Sequence, residues 1–392
     1  MAASTRRKSL CHLGCIGAGL AFMAMSALPS AAEDLKPTAT SSFVVGVISP
    51  LTGPMATVGA QSTSGIRLWA QNLNAAGGIK GRKIELDICD DQGAPENAVT
   101  CARGLIQRGV VMILDNSISS TIRAITPLLK DGPVMVVVSP IVVPDPASYV
   151  FQTSASDMEI TKALAVYLQV NKLNKLAMIA STDTTGEANA SNAEKVFPPA
   201  GIALSLARID LKSNDASIQL TNVVKDNPII YSAYSGAGAA TVVKSFNNLG
   251  LTIPFVLSNA NLSDAFMALI KDDLPPRLLG LGLNFMVPEL IENPDQRAHL
   301  EKFRTAFQES NKEPPSLLAL MGLTLSDTAE AVLRNVDEPT SAAAVKKYLE
   351  SNPIKSLSPI RFTAENHVGM GAETVSVVEY KNGHWAKAAP IK

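Results

Sequence analysis

Charge, aromatic rings and the residues of acid-base chemistry are all scarce in this chain, and each scarcity excludes something. Only 18% of residues are charged, 34 basic against 35 acidic, so the composition carries neither a nucleic-acid footprint nor a polybasic membrane patch. Aromatic content is low at 5%, whereas hydrophobic content reaches 46%, which is ample for a packed core and argues against disorder. Histidine occurs at positions 12, 299, 367 and 384 only, and there is no HExxH, no GxSxG and no Walker loop. The pair Gly236 and Gly238 lacks the third glycine of a dinucleotide fingerprint and reads as a helix start. Enzyme signals are therefore thin.

A membrane-spanning run is also missing. Arg6, Arg7 and Lys8 precede an apolar stretch from about Leu13 to Leu28, and Ser30-Ala31-Ala32 offers small residues where a signal peptidase reads. About 20 uninterrupted apolar residues are needed to span a bilayer, and this stretch is shorter. Residues 1–32 are expected to be a secretory signal peptide, with the product exported to the periplasm. Without the three leader cations, 31 basic residues face 35 acidic ones. Cys11 and Cys15 leave with the leader. Cys89 and Cys101 remain, an even pair in an oxidising compartment, open to a disulfide or to two buried thiols. Two lone cysteines do not make a metal site, and no metal or other cofactor is expected.

What is present is a β/α rhythm, set from Val44 to Asp91. Val44, Val45, Val47 and Ile48 form the short β-branched run of a strand buried on both faces. From about Gln61, the apolar residues Ile66, Trp69, Ala70 and Leu73 recur at helical spacing until Gly77-Gly78. Ile84, Leu86 and Ile88 then alternate with Glu85 and Asp87 as a second strand. A right-handed βαβ unit puts the first loop, with Leu51 and Thr52, at the carboxyl end of the sheet, where open α/β sheets bind ligands. A helix from Pro95, a strand over 110–114 and a helix over 122–130 continue the pattern. The hydroxyls Ser117, Ser119 and Ser120 sit at that helix start, where free amides and the helix dipole favour a carboxylate; the plain alternative is an ordinary N-cap. Asp90-Asp91 reads as a helix cap and a solvated carboxylate, since neighbours on a strand face opposite ways. The strand over 134–139 ends in Ser139 and Pro140, and the loop Ile141, Val142, Val143 is too apolar for a surface connection, so it is expected to line something. The rhythm restarts after residue 156, and Phe303 with Phe307 reads as core. The tail, 360–363 and 375–380 followed by Asn382-Gly383, reads as strands with a hairpin turn.

The segment from Gly46 to Pro54, the turn from Asn74 to Arg82, and Asp90-Asp91 with Pro95 and Ala98 resemble the opening of periplasmic solute-binding proteins of the leucine/isoleucine/valine-binding class. The resemblance runs over most of the chain after the leader. It implies an α/β fold of two Rossmann-like lobes with central, mostly parallel sheets joined by a three-segment hinge. Lobe I is expected to comprise 42–155 plus 286–358, and lobe II 156–285 plus 359–392. It further implies a monomer that captures a small solute and hands it to an inner-membrane ABC permease. In such relatives the helix-start hydroxyls and the loop after the next strand hold the ligand carboxylate, and Ser119, Ser120 and Ile141 to Val143 occupy those places. Val143 stands where a hydroxyl is expected, Thr185 where an aromatic residue is expected, and Tyr234 matches a tyrosine. The acidic partner of a ligand ammonium falls at Asn259. An ammonium buried without a carboxylate is costly, so the expected solute is an aromatic or branched aliphatic acid rather than an α-amino acid. The alternatives are an amino-acid-binding protein or a ligand sensor of the same fold. An exported hydrolase would need a nucleophile elbow that the sequence does not show.

Overall fold

The computed structural model describes residues 42–53, 55–140, 142–210 and 212–391, and the expected leader, 1–32, lies outside them. Two sheets organise these residues. The first is built from β1 (Phe43–Ser49), α1 (Ala56–Ala75), β2 (Ile84–Asp90), α2 (Pro95–Gln107), β3 (Met112–Asp115), α3 (Ser119–Ile125), β4 (Val134–Val137) and β5 (Val150–Ala155). The chain then crosses into α4 (Asp157–Val170), β6 (Lys175–Ser181), α5 (Thr184–Val196), β7 (Ala203–Ile209), α6 (Ser217–Val224), β8 (Ile230–Ala233), α7 (Gly236–Asn248), β9 (Phe255–Leu257), α8 (Asp264–Ile270) and β10 (Leu278–Leu283). It returns through α9 (Pro294–Asn311), α10 (Leu317–Asn335), α11 (Ala342–Ser351) and β11 (Val368–Met370), and ends in β12 (Val375–Lys381) and β13 (His384–Lys387).

The six-stranded sheet has the order β11-β5-β4-β3-β1-β2 and every pair in it is parallel. Its strands β1, β3, β4 and β5 are buried on both faces because each face is covered by helices, whereas the edge strand β2 is only half-buried. Val45, Val47, Met112 and Leu114 pack with Ile66 and Trp69 of α1 on one side. Ile48, Ile113, Met135 and Val137 pack with Ala98, Ala102 and Leu105 of α2 on the other. α1 and α10 meet at backbone distance: a β-carbon on Gly65 would stand 2.2 Å from the Ala319 carbonyl oxygen, and one on Gly322 2.2 Å from that of Ser62. The indole of Trp69 adds a hydrogen bond to Glu330, 2.9 Å long. Phe303 and Phe307 of α9 are core, as their one-turn spacing suggests.

The seven-stranded sheet has the order β13-β12-β10-β9-β8-β6-β7, parallel except for β12 and β13. The expected Asn382-Gly383 turn joins those two strands, with both residues at positive φ. α8 was not foreseen, although Ser263 caps it from Phe266 N at 3.3 Å. The tail departs from the strands expected of it. Residues 360–363 form no strand, and β11 pairs with β5 of the first sheet. Phe362 lies edge-on to Phe151 of β5, with ring centroids 5.0 Å apart, which draws this segment to the first sheet until Gly371.

Three segments thus pass between the sheets, and they are tied to one another. Asn284 donates to the Glu373 carbonyl at 2.9 Å and accepts from Ser376 at 2.7 Å, and Ala372 N donates to Glu159 at 3.1 Å. Cys89 at the end of β2 and Cys101 in α2 form a disulfide with 5.7 Å between their α-carbons.

Candidate functional site

The loops at the carboxyl ends of β1 to β4 gather on one edge of the first sheet, because all these strands run the same way. The first loop is already engaged. Asp90 accepts from Leu51 N at 2.8 Å, Thr52 N at 3.2 Å and Gln92 N at 2.9 Å, and its second oxygen accepts from the Thr52 hydroxyl at 2.6 Å. Burial pulls the Asp90 carboxyl up, but these bonds outweigh it and hold the group below the usual carboxylate range. The reading of Asp90-Asp91 as a cap and a solvated carboxylate is corrected. Asp91 is fully buried, accepts from the Ser117 hydroxyl and from Gly93 N, and the cap of α2 is Ala94. The donors of Leu51, Thr52 and Ser117 therefore serve the protein's own carboxylates.

Behind this edge lies Asp115, fully buried at the end of β3. One of its oxygens accepts from Ser117 N at 2.8 Å, and the other has no hydrogen-bond partner among the described residues. Burial pushes its carboxyl up to about 8; the Ser117 bond opposes this and the neighbouring Asp91 charge adds to it.

The remaining expected residues are spread along the edges of both sheets. Ser119 is half-buried and Ser120 exposed in the first turn of α3, whose N-cap is Ile118 rather than a hydroxyl. Ser139 is half-buried and its carbonyl accepts from Val142 N at 3.4 Å. In the apolar loop, Val142 joins the core while Val143 is 66% exposed, and Ile141 lies outside the described residues. On the second sheet, Thr185 is half-buried in the first turn of α5, and Asn259 opens a short 3₁₀ turn after β9. Tyr234 is buried beside Gly238, where a β-carbon would stand 2.1 Å from its ring. Its carbonyl is held by Asn261 at 2.7 Å.

A cleft of about 440 Å³ opens where the chain first crosses between the sheets. Pro140 and Val143 line it from the loop after β4, Ser156 to Glu159 from the start of α4, Ala188 and Asn192 from α5, and Asn366 and Val368 from β11 and the residues before it. Of the described residues expected to bind ligand, Val143 alone is among these. On the other side of the 142–145 loop, Val142 and Val143 line a second hollow of about 470 Å³ with Arg123 and Asp145.

The cleft is acidic. Among the described residues, Asp157 and Glu159 line it, and no Lys, Arg or His does. Glu159 is engaged by Lys162 at 2.6 Å and by Ala372 N. Asp157 is positioned by its own N–H, which donates to the Pro140 carbonyl at 3.1 Å. Its carboxyl is pushed up to about 6 by burial, and its charge in turn adds to the burial that raises the phenol of Tyr231. The sequence reading missed Asp157. The available signal was an acidic residue placed directly after the strand that leaves the first sheet.

A family model described as periplasmic binding protein matches residues 42–384. The chain is 29% identical over 169 residues to the Leu/Ile/Val-binding protein homolog 3 of Brucella melitensis, a match covering 42% of this chain and 46% of that protein, about half its length. It is 25% identical over 338 residues to an amino acid binding protein of Pseudomonas aeruginosa, covering 84% and 87%. Among solved structures, it is similar to an ABC transporter substrate-binding protein from Desulfitobacterium hafniense in complex with Leu, with TM-score 0.72, 21% identity and coverage of 88% and 99%. It is also similar to a solute binding protein from R. palustris in complex with benzoate, with TM-score 0.66, 21% identity and coverage of 88% and 95%. At these identities the structural likeness shows a shared fold.

Proposed function

The chain belongs to the periplasmic binding protein family, and from that premise we propose that it is the substrate-binding component of an ABC importer, capturing a small carboxylate solute with an apolar body. Membership of that family makes it a binding protein and not an enzyme. The observation that carries the proposal is the cleft at the first crossing, which is lined from the first sheet by Pro140, Val143 and Val368 and from the second by α4 and α5. A solute held there touches both halves, so its binding energy favours the state in which they are closed upon it.

On this reading, the first lobe runs from 42 to 155 and from about 286 to 370, the second takes the rest, and the closed monomer is what an inner-membrane permease meets. Two forms of solute have support. An aromatic or branched aliphatic acid is supported by the neutral Asn259 and by the likeness to a protein that holds benzoate. An α-amino acid is supported by Asp157 in the cleft and by the likeness to one that holds Leu.

A thermal-shift panel of amino acids, aromatic acids, aliphatic acids and sugars on the processed protein tests the function. A ligand at a hundred times its Kd stabilises the folded state by about 2.7 kcal/mol, which raises the melting temperature by several degrees. A shift with sugars alone, or with none of the panel, would count against a carboxylate solute.

A further inference from the structure

We infer that Lys346, Glu350 and His367 form one buried ion network that positions the two first-sheet walls of the cleft: the loop after β4 that carries Val143, and the segment that carries Asn366 and Val368. The consequence for solute affinity rests on the reading of the cleft as the solute site; the positioning does not. Lys346 and Glu350 stand four residues apart on α11, so they share one face of that helix. On a solvated helix the order Lys before Glu is the weaker one. Here both side chains are turned inward, 19% and 16% exposed, with Nζ and Oε1 3.5 Å apart. The same Glu350 oxygen lies 3.0 Å from Nε2 of His367, whose side chain is fully buried. A carboxylate thus stands between two basic groups, one from α11 itself and one from the residue before β11.

Each end of the network grips backbone. Lys346 Nζ donates to the carbonyls of Pro146 at 2.6 Å and Ser148 at 2.9 Å, and it stands over the ring of Tyr149, 5.5 Å from the centroid. It therefore fixes the far end of the loop whose near end, Pro140 and Val143, lines the cleft. Parallel strands are usually joined through a helix, and the crossover from β4 to β5 has none among its described residues. Lys346 supplies from outside part of the bonding that such a helix would make within itself. His367 grips β5. Its Nδ1 donates to the Val150 carbonyl at 2.9 Å, its carbonyl accepts from Gln152 N at 2.9 Å, and its ring stacks on Phe151 with centroids 3.8 Å apart. Since Nδ1 gives its hydrogen to a carbonyl, the contact of Nε2 with Glu350 holds only with a second hydrogen between them. Neighbours on an extended segment face opposite ways. With His367 turned into the protein, Asn366 and Val368 on either side of it line the cleft. A buried ion network adds little stability over apolar packing of the same volume, but it leaves each group one place to stand, because a charge parted from its partners is costly.

Hydrogen–deuterium exchange of the processed protein, read by mass spectrometry, tests the positioning without any solute. Lys346→Met is expected to speed exchange about tenfold or more in peptides covering 142–149, and Glu350→Leu to do so in those covering 366–370, with the second sheet unchanged. Glu350→Gln, which keeps the shape and an oxygen for Nε2, is expected to hold 366–370 within about threefold of wild type. A general loss of stability would instead speed exchange throughout the fold, and the melting temperature of each variant separates the two. The inference is overturned if exchange in both segments stays within about threefold of wild type, if it rises equally across both sheets, or if Glu350→Gln exchanges as fast as Glu350→Leu. Isothermal calorimetry with L-leucine and with benzoate reads the consequence: a probe that the wild-type protein binds is expected to bind Lys346→Met about tenfold more weakly. If the two segments loosen while that affinity holds within about threefold, the positioning stands and it is the reading of the cleft as the solute site that fails. If the wild-type protein binds neither probe, exchange alone decides the inference.

Discussion

Replacing Asp115 by asparagine isolates a proton that the folded protein should hold at neutral pH. The wild-type carboxyl is fully buried, and its pKa is pushed up to about 8; in the unfolded chain it returns to about 3.9. Because the folded state keeps a proton that the unfolded state releases, this group's contribution is greatest below about pH 4 and is lost as the pH rises through the folded value near 8. Each unit in that window removes about 1.4 kcal/mol. Asparagine has the same shape, keeps an oxygen for Ser117 N, and does not titrate. The stability of Asp115→Asn relative to wild type is therefore expected to rise by about 4 kcal/mol between pH 5 and pH 8. Urea unfolding of both proteins at half-unit pH steps measures it. All other titrating groups are common to the two proteins, so the difference reports Asp115. Two curves that stay parallel across the window would refute the reasoning, since they would mean that the buried carboxyl is ionised or relaxes into water.

Two further expectations concern packing. Gly322→Ala puts a β-carbon into the Ser62 carbonyl, so α1 and α10 must separate; a loss of about 2 to 4 kcal/mol in urea unfolding is expected, and a loss below about 0.5 kcal/mol would show that the helices are free to slide. Reducing the Cys89–Cys101 disulfide, or replacing both residues by serine, is expected to cost about 3 kcal/mol, since the bridge closes a short loop with a sequence separation of 12. Unfolding in the presence and absence of a thiol reductant reads this directly, and unchanged midpoints would assign the bridge no role in stability.

Much of the fold was legible because burial on both faces of a parallel strand forces continuous β-branched runs, as at Val44 to Ile48. Helix faces such as Ile66, Trp69 and Leu73 were legible for the same reason of periodicity. The start of α1 was not, because Ala56 to Ala60 is glycine- and threonine-bearing and shows no apolar stripe. β11 was missed because it has only three residues, one of them Gly369, and its identity as a strand comes from β5 beside it. Ile360 and Phe362 alternate as a strand does, yet their burial comes from packing and from isolated bonds such as Arg361 N to the Gly369 carbonyl, 2.8 Å long. The site was less legible than the fold. That Asp90 occupies the first loop, that Asp115 is buried with one oxygen unpartnered among the described residues and that Asp157 lines the cleft are all statements about neighbours distant in sequence. A composition or a spacing does not contain them.

The occupation of the first loop by Asp90 has a bearing on how the protein meets dissolved anions. Leu51 N, Thr52 N and the Thr52 hydroxyl converge on one carboxylate, the arrangement by which a backbone concavity traps an anion. Asp90 is tethered to that concavity by the sheet itself, so its effective molarity there far exceeds the concentration of any dissolved phosphate, sulfate or chloride. The donors of this loop are thereby taken up before a dissolved inorganic anion can reach them. The carboxyl edge of the first sheet keeps its shape at this loop whatever the ionic composition around it.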